Sequence, residues 1–163
     1  MAKNKEEKTN VMCVLEQKKI AYTAHTYPHE EGMAVDGVTV AQSMGFDPAI
    51  VFKTLVARGA SKQYYVFDVP VAENLDLKKA AKAVGEKSIE MIHQKELLPL
   101  TGYVHGGCSP VGMKKLFPTV FHSSAENLAA MIVSAGKIGY QVELAPRDLA
   151  ALVRAKFADI IVE

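Results

Sequence analysis

Apolar positions recur in short blocks along this chain, and each block is closed by a residue that breaks regular structure. Val11, Met12 and Leu15 follow Thr9 at helical spacing, predicting a helix capped by Thr9 that runs to about Lys19. A strand is expected from Ala21 to Thr26, and Tyr27-Pro28-His29-Glu30-Glu31-Gly32 reads as a loop between two breakers. Val38 to Met44 forms a short amphipathic helix stopped by Gly45. Two strands follow, Ile50 to Ala57 and Gln63 to Val69, joined by the hairpin-length segment Arg58–Lys62. Asp76 suits the N-cap of a helix over Leu77–Val84, with Gly85 placed to end it.

Further along, Ser88 to Ile92 reads as a strand and His93 to Leu98 as a helix ended by Pro99. Gly102 to Gly112 is glycine-rich, with strand character only at Tyr103-Val104. Strands are expected at Thr119–Phe121, Met131–Val133 and Tyr140–Leu144, and Pro146 opens a final helix through Arg154. Short strands and helices alternate without a regular βαβ repeat. The fold class expected is therefore α+β, with a mixed, largely antiparallel sheet flanked by helices. No repeat or linker divides the sequence, so residues 1–163 are expected to form one domain, with 1–8 as a flexible N-terminal segment.

One residue breaks the hydrophobic pattern. Lys53 stands inside Ala49-Ile50-Val51-Phe52-Lys53-Thr54-Leu55-Val56-Ala57. An ammonium is costly to bury without a partner, so this lysine either snorkels to water from a sheet edge or points into a cleft to hold an anionic or polar ligand. The segment alone leaves both readings open.

Composition narrows the function classes. Nineteen Lys and Arg residues against 18 Asp and Glu give a net charge of +1, without the basic excess of a protein that grips nucleic acid tightly by itself. Lys78, Lys79, Lys82 and Lys87 gather on or beside one predicted helix, where a solvated face is the usual outcome. No apolar run reaches the length of a membrane span, and the polar stretch Met1–Asn10 does not resemble a signal peptide. Cys13 and Cys108 are the only cysteines, in keeping with reduced thiols in a cytoplasmic protein.

Several chemistries fail on spacing. Ser134-Ala135-Gly136-Lys137 carries the Gly-Lys of a phosphate loop, but Met131 replaces its first glycine and Ile138 its Ser/Thr. His25, His29, His93, His105 and His122 form no helical ligand pair, so neither a metal nor another cofactor is expected. Cys108 with His105 three residues earlier could form a thiolate–base pair, or Cys108 could be a small loop residue. Two glycine loops remain, Gly102–Gly112 and Val133–Gly139, each after a segment with strand character. Backbone N–H groups in such turns can form an anion nest or oxyanion hole, or the glycines can serve only to tighten the turns.

Three segments occur in a familiar order: Phe52-Lys53-Thr54-Leu55, then Thr101-Gly102-Tyr103-x-x-Gly106-Gly107-x-Ser109-Pro110-x-Gly112, then Val133-Ser134-x-Gly136-Lys137-x-Gly139. With His25-Thr26-Tyr27-x-His29, Leu75–Lys82 and Ala155–Ile160, the set resembles the YbaK/EbsC family from about residue 11 onward. These proteins are stand-alone relatives of the editing insertion of bacterial prolyl-tRNA synthetases. The resemblance implies a mixed sheet curled around a cleft, and hydrolysis of mischarged aminoacyl-tRNA, with cysteinyl-tRNA(Pro) the leading substrate. It also implies that Lys53 is the essential lysine and that Tyr27, Thr54, Gly106, Ser134 and Gly136 line the substrate pocket, to which Gly107 and Gln141 are added as candidates. Gln141 stands where relatives often carry an aspartate; Cys108 replaces an aliphatic residue and Ala135 a glycine.

An aminoacyl ester is already activated, so positioning and oxyanion stabilisation suffice and no metal is required. For cysteinyl esters the resemblance implies attack by the substrate's own thiol. Lys53 is then expected to hold the terminal phosphate or ribose, and the glycine-loop amides to meet the carbonyl oxygen. The implied partners are the aminoacyl-tRNA 3′ end and prolyl-tRNA synthetase, with tRNA binding weak and salt-sensitive. Two alternatives stand beside this reading: a non-catalytic aminoacyl-tRNA-binding or regulatory module, and a Cys108-dependent hydrolase.

Overall fold

The computed structural model describes residues 8–29 and 33–163. The expected flexible segment at 1–8, but for its last residue, and the Glu30–Gly32 end of the expected loop lie outside the described residues. In chain order the elements are α1 (Asn10–Gln17), β1 (Thr23–Thr26), α2 (Gly37–Ser43), β2 (Phe52–Gly59), β3 (Tyr64–Pro70), α3 (Leu77–Val84) and β4 (Ile89–Met91). Then come α4 (Gln94–Thr101), β5 (Thr119–His122), β6 (Met131–Ser134), β7 (Tyr140–Leu144), α5 (Pro146–Val153) and β8 (Lys156–Ala158).

The strands form two ladders. One is five-stranded in the order β4-β2-β3-β5-β8, with β2 antiparallel to β3 and β4, and β5 parallel to β3 and β8. The other is three-stranded and antiparallel, in the order β1-β7-β6. A single parallel bridge between Val51 and Ile132 joins them at the start of β2. The architecture is the expected α+β one with mostly antiparallel pairing, its sheet divided at that bridge.

Local chemistry sets the helix ends. The Asp76 carboxylate accepts from the backbone N–H groups of Lys78 and Lys79, and Gly85 ends α3 at φ 75°. Two expectations need correction. Pro99 lies inside α4 rather than ending it, because the carbonyl its missing N–H would have bonded belongs to Lys95, an exposed residue of the first turn. The helix stops only at Gly102, φ 89°. Tyr103-Val104 is not a strand: Tyr103 is buried and its hydroxyl donates to the Val111 carbonyl at 2.5 Å. Strand β8 has no counterpart in the sequence pattern.

Three apolar clusters hold the layers together. The largest brings Val11, Met12 and Leu15 of α1 and Leu149 and Val153 of α5 against Phe52, Val56, Val66 and Phe121 on one face of the large sheet. Met131, Val133, Val142 and Leu144 of the small sheet join the same core. On the opposite face of the large sheet, Ala57, Phe67, Val69 and Val120 pack on Ala80 and Ala81 of α3. A third, smaller cluster gathers Ala41 of α2 with Val51, Val71 and Ile132 where the ladders meet.

Candidate active site at the seam between the sheets

Along β2, side chains alternate between faces. Val51 falls in the small cluster under α2 and Leu55 packs on the cluster under α3, so Lys53, on the same face, emerges between two cores. That seam explains how an apolar strand accommodates a lysine. Lys53 is half-buried and lines a cleft of about 550 Å³. Among the described residues no carboxylate comes within 4.0 Å of its ammonium. Burial lowers its pKa below the ordinary lysine value, while the more distant Asp36 and Glu73 carboxylates oppose the shift.

The backbone of β2 is also open here. Val71 N–H donates to the Val51 carbonyl and Gly59 N–H to the Gln63 carbonyl, so the odd-numbered residues of β2 bond to β3. Thr54 therefore turns its N–H and C=O away from β3. On that side no described strand pairs with β2 between the Val51–Ile132 bridge and the Ala57–Met91 pairing. The Thr54 hydroxyl meets Asp68, directly opposite on β3, at 2.5 Å from Oδ1.

The other walls come from separate stretches of the chain. Ser134 and Gln141, paired across β6 and β7, line the cleft with Tyr27 and Tyr140. Residues Ala34 to Gly37 and Val40 close one side, with Asp36 capping α2 through the Thr39 N–H. Leu97, His105, Gly106 and Cys108 close the other. At Gly106, φ 89°, an added Cβ would come within 2.7 Å of Ala34 Cβ, so glycine lets these two walls touch.

Of the residues singled out in the sequence, Lys53, Tyr27, Thr54, Gly106, Ser134 and Gln141 all line the cleft. Gly107 and Gly136 stand behind it. A Cβ on Gly107 would meet the Ile138 nitrogen at 3.0 Å, and one on Gly136 would meet Tyr103 Cε1 at 2.9 Å. Their amides are committed within the loops, Gly107 N–H to the Val104 carbonyl at 3.0 Å and Gly136 N–H to Ser134 Oγ at 3.1 Å. Having accepted from Gly136, the Ser134 hydroxyl keeps its own proton to donate. Gln141 is buried and its Oε1 has no partner among the described residues.

Sequence reasoning did not single out Asp36, Leu97 or Tyr140, nor Asp68 beneath the cleft. A usable signal existed for Asp68, a lone carboxylate in the apolar run Val66-Phe67-Asp68-Val69. The Cys108 thiol is buried, and that burial, with the Asp68 charge nearby, pushes its pKa up to about 12. It remains a protonated thiol at neutral pH, and the neighbouring His105 is exposed, which removes the basis for a thiolate–base pair. No group of three His, Cys, Asp or Glu side chains among the described residues has metal-binding geometry.

Comparison with known proteins agrees with this architecture. Residues 29–152 match the family described as "Aminoacyl-tRNA editing domain". An Enterococcus faecalis protein named "Putative Cys-tRNA(Pro)/Cys-tRNA(Cys) deacylase EbsC" is 45% identical over 161 residues, covering 98% of each chain. A crystal structure described as "a putative trans-editing enzyme for prolyl tRNA synthetase" superposes with a TM-score of 0.79 at 25% identity, over 94% of this chain and 95% of that one. The hypothetical protein APE2540 shares the fold, with a TM-score of 0.82 at 18% identity over 93% of this chain and 99% of its own. With the family matched across most of its length and a relative of 45% identity spanning nearly all of it, this chain belongs to the aminoacyl-tRNA editing domain family.

Proposed function

We propose that this protein is an aminoacyl-tRNA deacylase that clears mischarged tRNA(Pro) in the cytoplasm, with cysteinyl-tRNA(Pro) as its substrate. The observation that carries the reading is a half-buried ammonium, Lys53, without a described counter-ion beside the open backbone edge of Thr54. A desolvated cation favours a phosphate or an electron-rich ester oxygen, and the exposed edge of β2 supplies a fixed N–H and C=O beside it. The volume of about 550 Å³ suits one aminoacylated terminal nucleoside rather than the body of a tRNA.

Lys53 holds the terminal phosphate or ribose. The Thr54 N–H and the Gly106 backbone bind the ester carbonyl in this reading, in preference to Gly107 and Gly136, whose amides are occupied. Water, or the thiol of a cysteinyl substrate, attacks the carbonyl carbon; the tetrahedral oxyanion then collapses, the ester C–O bond breaks, and the proton lost by the nucleophile passes to the departing ribose oxygen. A buried, protonated Cys108 takes no part as nucleophile. Because the net charge is only +1, tRNA(Pro) is delivered with the help of prolyl-tRNA synthetase rather than captured by long-range attraction.

Purified protein incubated with cysteinyl-, alanyl- and seryl-tRNA tests this reading. Release of cysteine from tRNA(Pro) is expected to dominate. Binding of every aminoacyl-tRNA without turnover would instead identify a non-catalytic recognition module.

A further inference from the structure

Asp68 is fully buried in the middle of β3, yet only one of its carboxylate oxygens is satisfied. Oδ1 lies 2.5 Å from Thr54 Oγ1, and Oδ2 has no partner among the described residues. No described lysine, arginine or histidine comes within 4.0 Å of it. Such a group is expensive to keep in a core, and a purely structural role would be filled more cheaply by an apolar residue. Its single partner, however, lines the cleft.

A threonine hydroxyl has one proton to give. While Asp68 is ionised that proton is donated to Oδ1, and only the lone pairs of Thr54 remain for the cleft. We propose that Asp68 is a positioning residue that fixes the Thr54 hydroxyl as a hydrogen-bond acceptor toward the cleft, so that it receives a donor hydrogen of the bound aminoacyl ester. Ser134, whose Oγ already accepts from Gly136 N–H, presents the opposite polarity across the cleft. This pairing of one acceptor with one donor orients the ester. The inference rests on the deacylase reading above.

Adding one proton to Asp68 reverses the arrangement. The neutral acid donates to Thr54 Oγ1, and the threonine proton turns to the cleft. Burial pushes the Asp68 carboxyl up to about 7, with the Thr54 hydrogen bond pulling it back down, so the reversal falls in the working pH range. From the loop after α4, Cys108 faces Asp68 and stays protonated there. Lys53 of β2 and His122 of β5 are turned to the other face of the sheet, His122 accepting from Ile160 N–H.

The test is kcat/KM for deacylation between pH 6 and 8 in the wild type, Thr54→Val, Thr54→Ser and Asp68→Asn proteins, with the carboxyl ¹³C shift of Asp68 followed in ligand-free wild type and Thr54→Val. The wild type is expected to lose about tenfold in kcat/KM from pH 8 to pH 6, the span of one essential ionisation near neutrality. Thr54→Val and Asp68→Asn should be slower and flat over that range, and Thr54→Ser should restore both rate and slope. In Thr54→Val the Asp68 titration should move to higher pH, because the hydrogen bond lost is stronger to the carboxylate than to the neutral acid. A Thr54→Val enzyme that keeps the wild-type slope, or an Asp68 midpoint unmoved by that substitution, overturns the proposal. If the wild type hydrolyses no aminoacyl-tRNA, the deacylase reading falls, and the ¹³C titration still decides whether Asp68 and Thr54 are coupled.

Discussion

Replacing Asp68 by asparagine should change the pH dependence of stability by an amount the structure allows to be worked out. The carboxyl sits at about 7 in the folded protein against an ordinary value of 3.8. Between those values the native state holds a proton that the unfolded chain has released. Stability from this group is therefore fully present below about pH 4 and is lost as pH rises through 7. Three pH units at ~1.4 kcal/mol each give ~4 kcal/mol in full, of which roughly 3 kcal/mol falls between pH 5 and pH 8. Glu16, Glu90 and Asp159, whose carboxyls are lowered by hydrogen bonds and nearby cations, and Glu86, lowered by hydrogen bonds from Ser61 and Tyr65, add slopes of the opposite sign. Those slopes are common to both proteins and cancel in the difference. Urea unfolding of wild type and Asp68→Asn at pH 5, 6, 7 and 8 isolates the term. The asparagine protein should gain roughly 3 kcal/mol on the wild type across that range, from whatever offset its own unpaired amide imposes at pH 5. A difference that stays constant with pH would show that Asp68 is ionised throughout, and would refute the reasoning.

Other outcomes follow from single contacts. Alkylation of the native protein should label exposed Cys13 and spare buried Cys108 until unfolding, as mass spectrometry will read. Cys108→Ser should deacylate within a few-fold of wild type, and loss of activity there would revive the thiol nucleophile. Gly136→Ala forces a side chain onto φ 92° and sets a Cβ 2.9 Å from Tyr103 Cε1. It should cost roughly 2 kcal/mol, a fall of about 4–8 °C in Tm by calorimetry, and an unchanged Tm would contradict the packing described. Asp76→Ala removes the acceptor for two backbone N–H groups at the start of α3 and should cost about 1 kcal/mol in the same measurement; no loss would mean the cap is redundant.

Elements with a complete local code were legible in the sequence. Asp76 and Gly85 delimit α3 without outside help, and Tyr140–Leu144 is the strand expected from its pattern. Strand β8 has three residues and depends on parallel pairing with β5, a contact far away in sequence that leaves no periodicity to read. Pro99 misled because its effect depends on which carbonyl it orphans and whether water reaches that carbonyl. At the site, a charge inside an apolar strand marks Lys53, and the same signature marks Asp68; the two strands form one hairpin and Asp68 faces Thr54 across it. Gly107 and Gly136 carried the right pattern for anion-binding loops. That their amides are already bonded depends on loop geometry that spacing does not encode.

Lys53 remains the point on which the functional account turns, because a snorkelling lysine and a substrate-holding one make opposite demands on the same substitution. Lys53→Ala removes a partly desolvated charge without a described counter-ion, so folding stability should hold or rise. The decisive measurement is kcat/KM for deacylation of cysteinyl-tRNA(Pro) by Lys53→Ala protein whose urea midpoint matches or exceeds that of the wild type. The account predicts a loss of roughly 100-fold, ~2.7 kcal/mol of transition-state stabilisation. A folded Lys53→Ala protein that deacylates at the wild-type rate would contradict it.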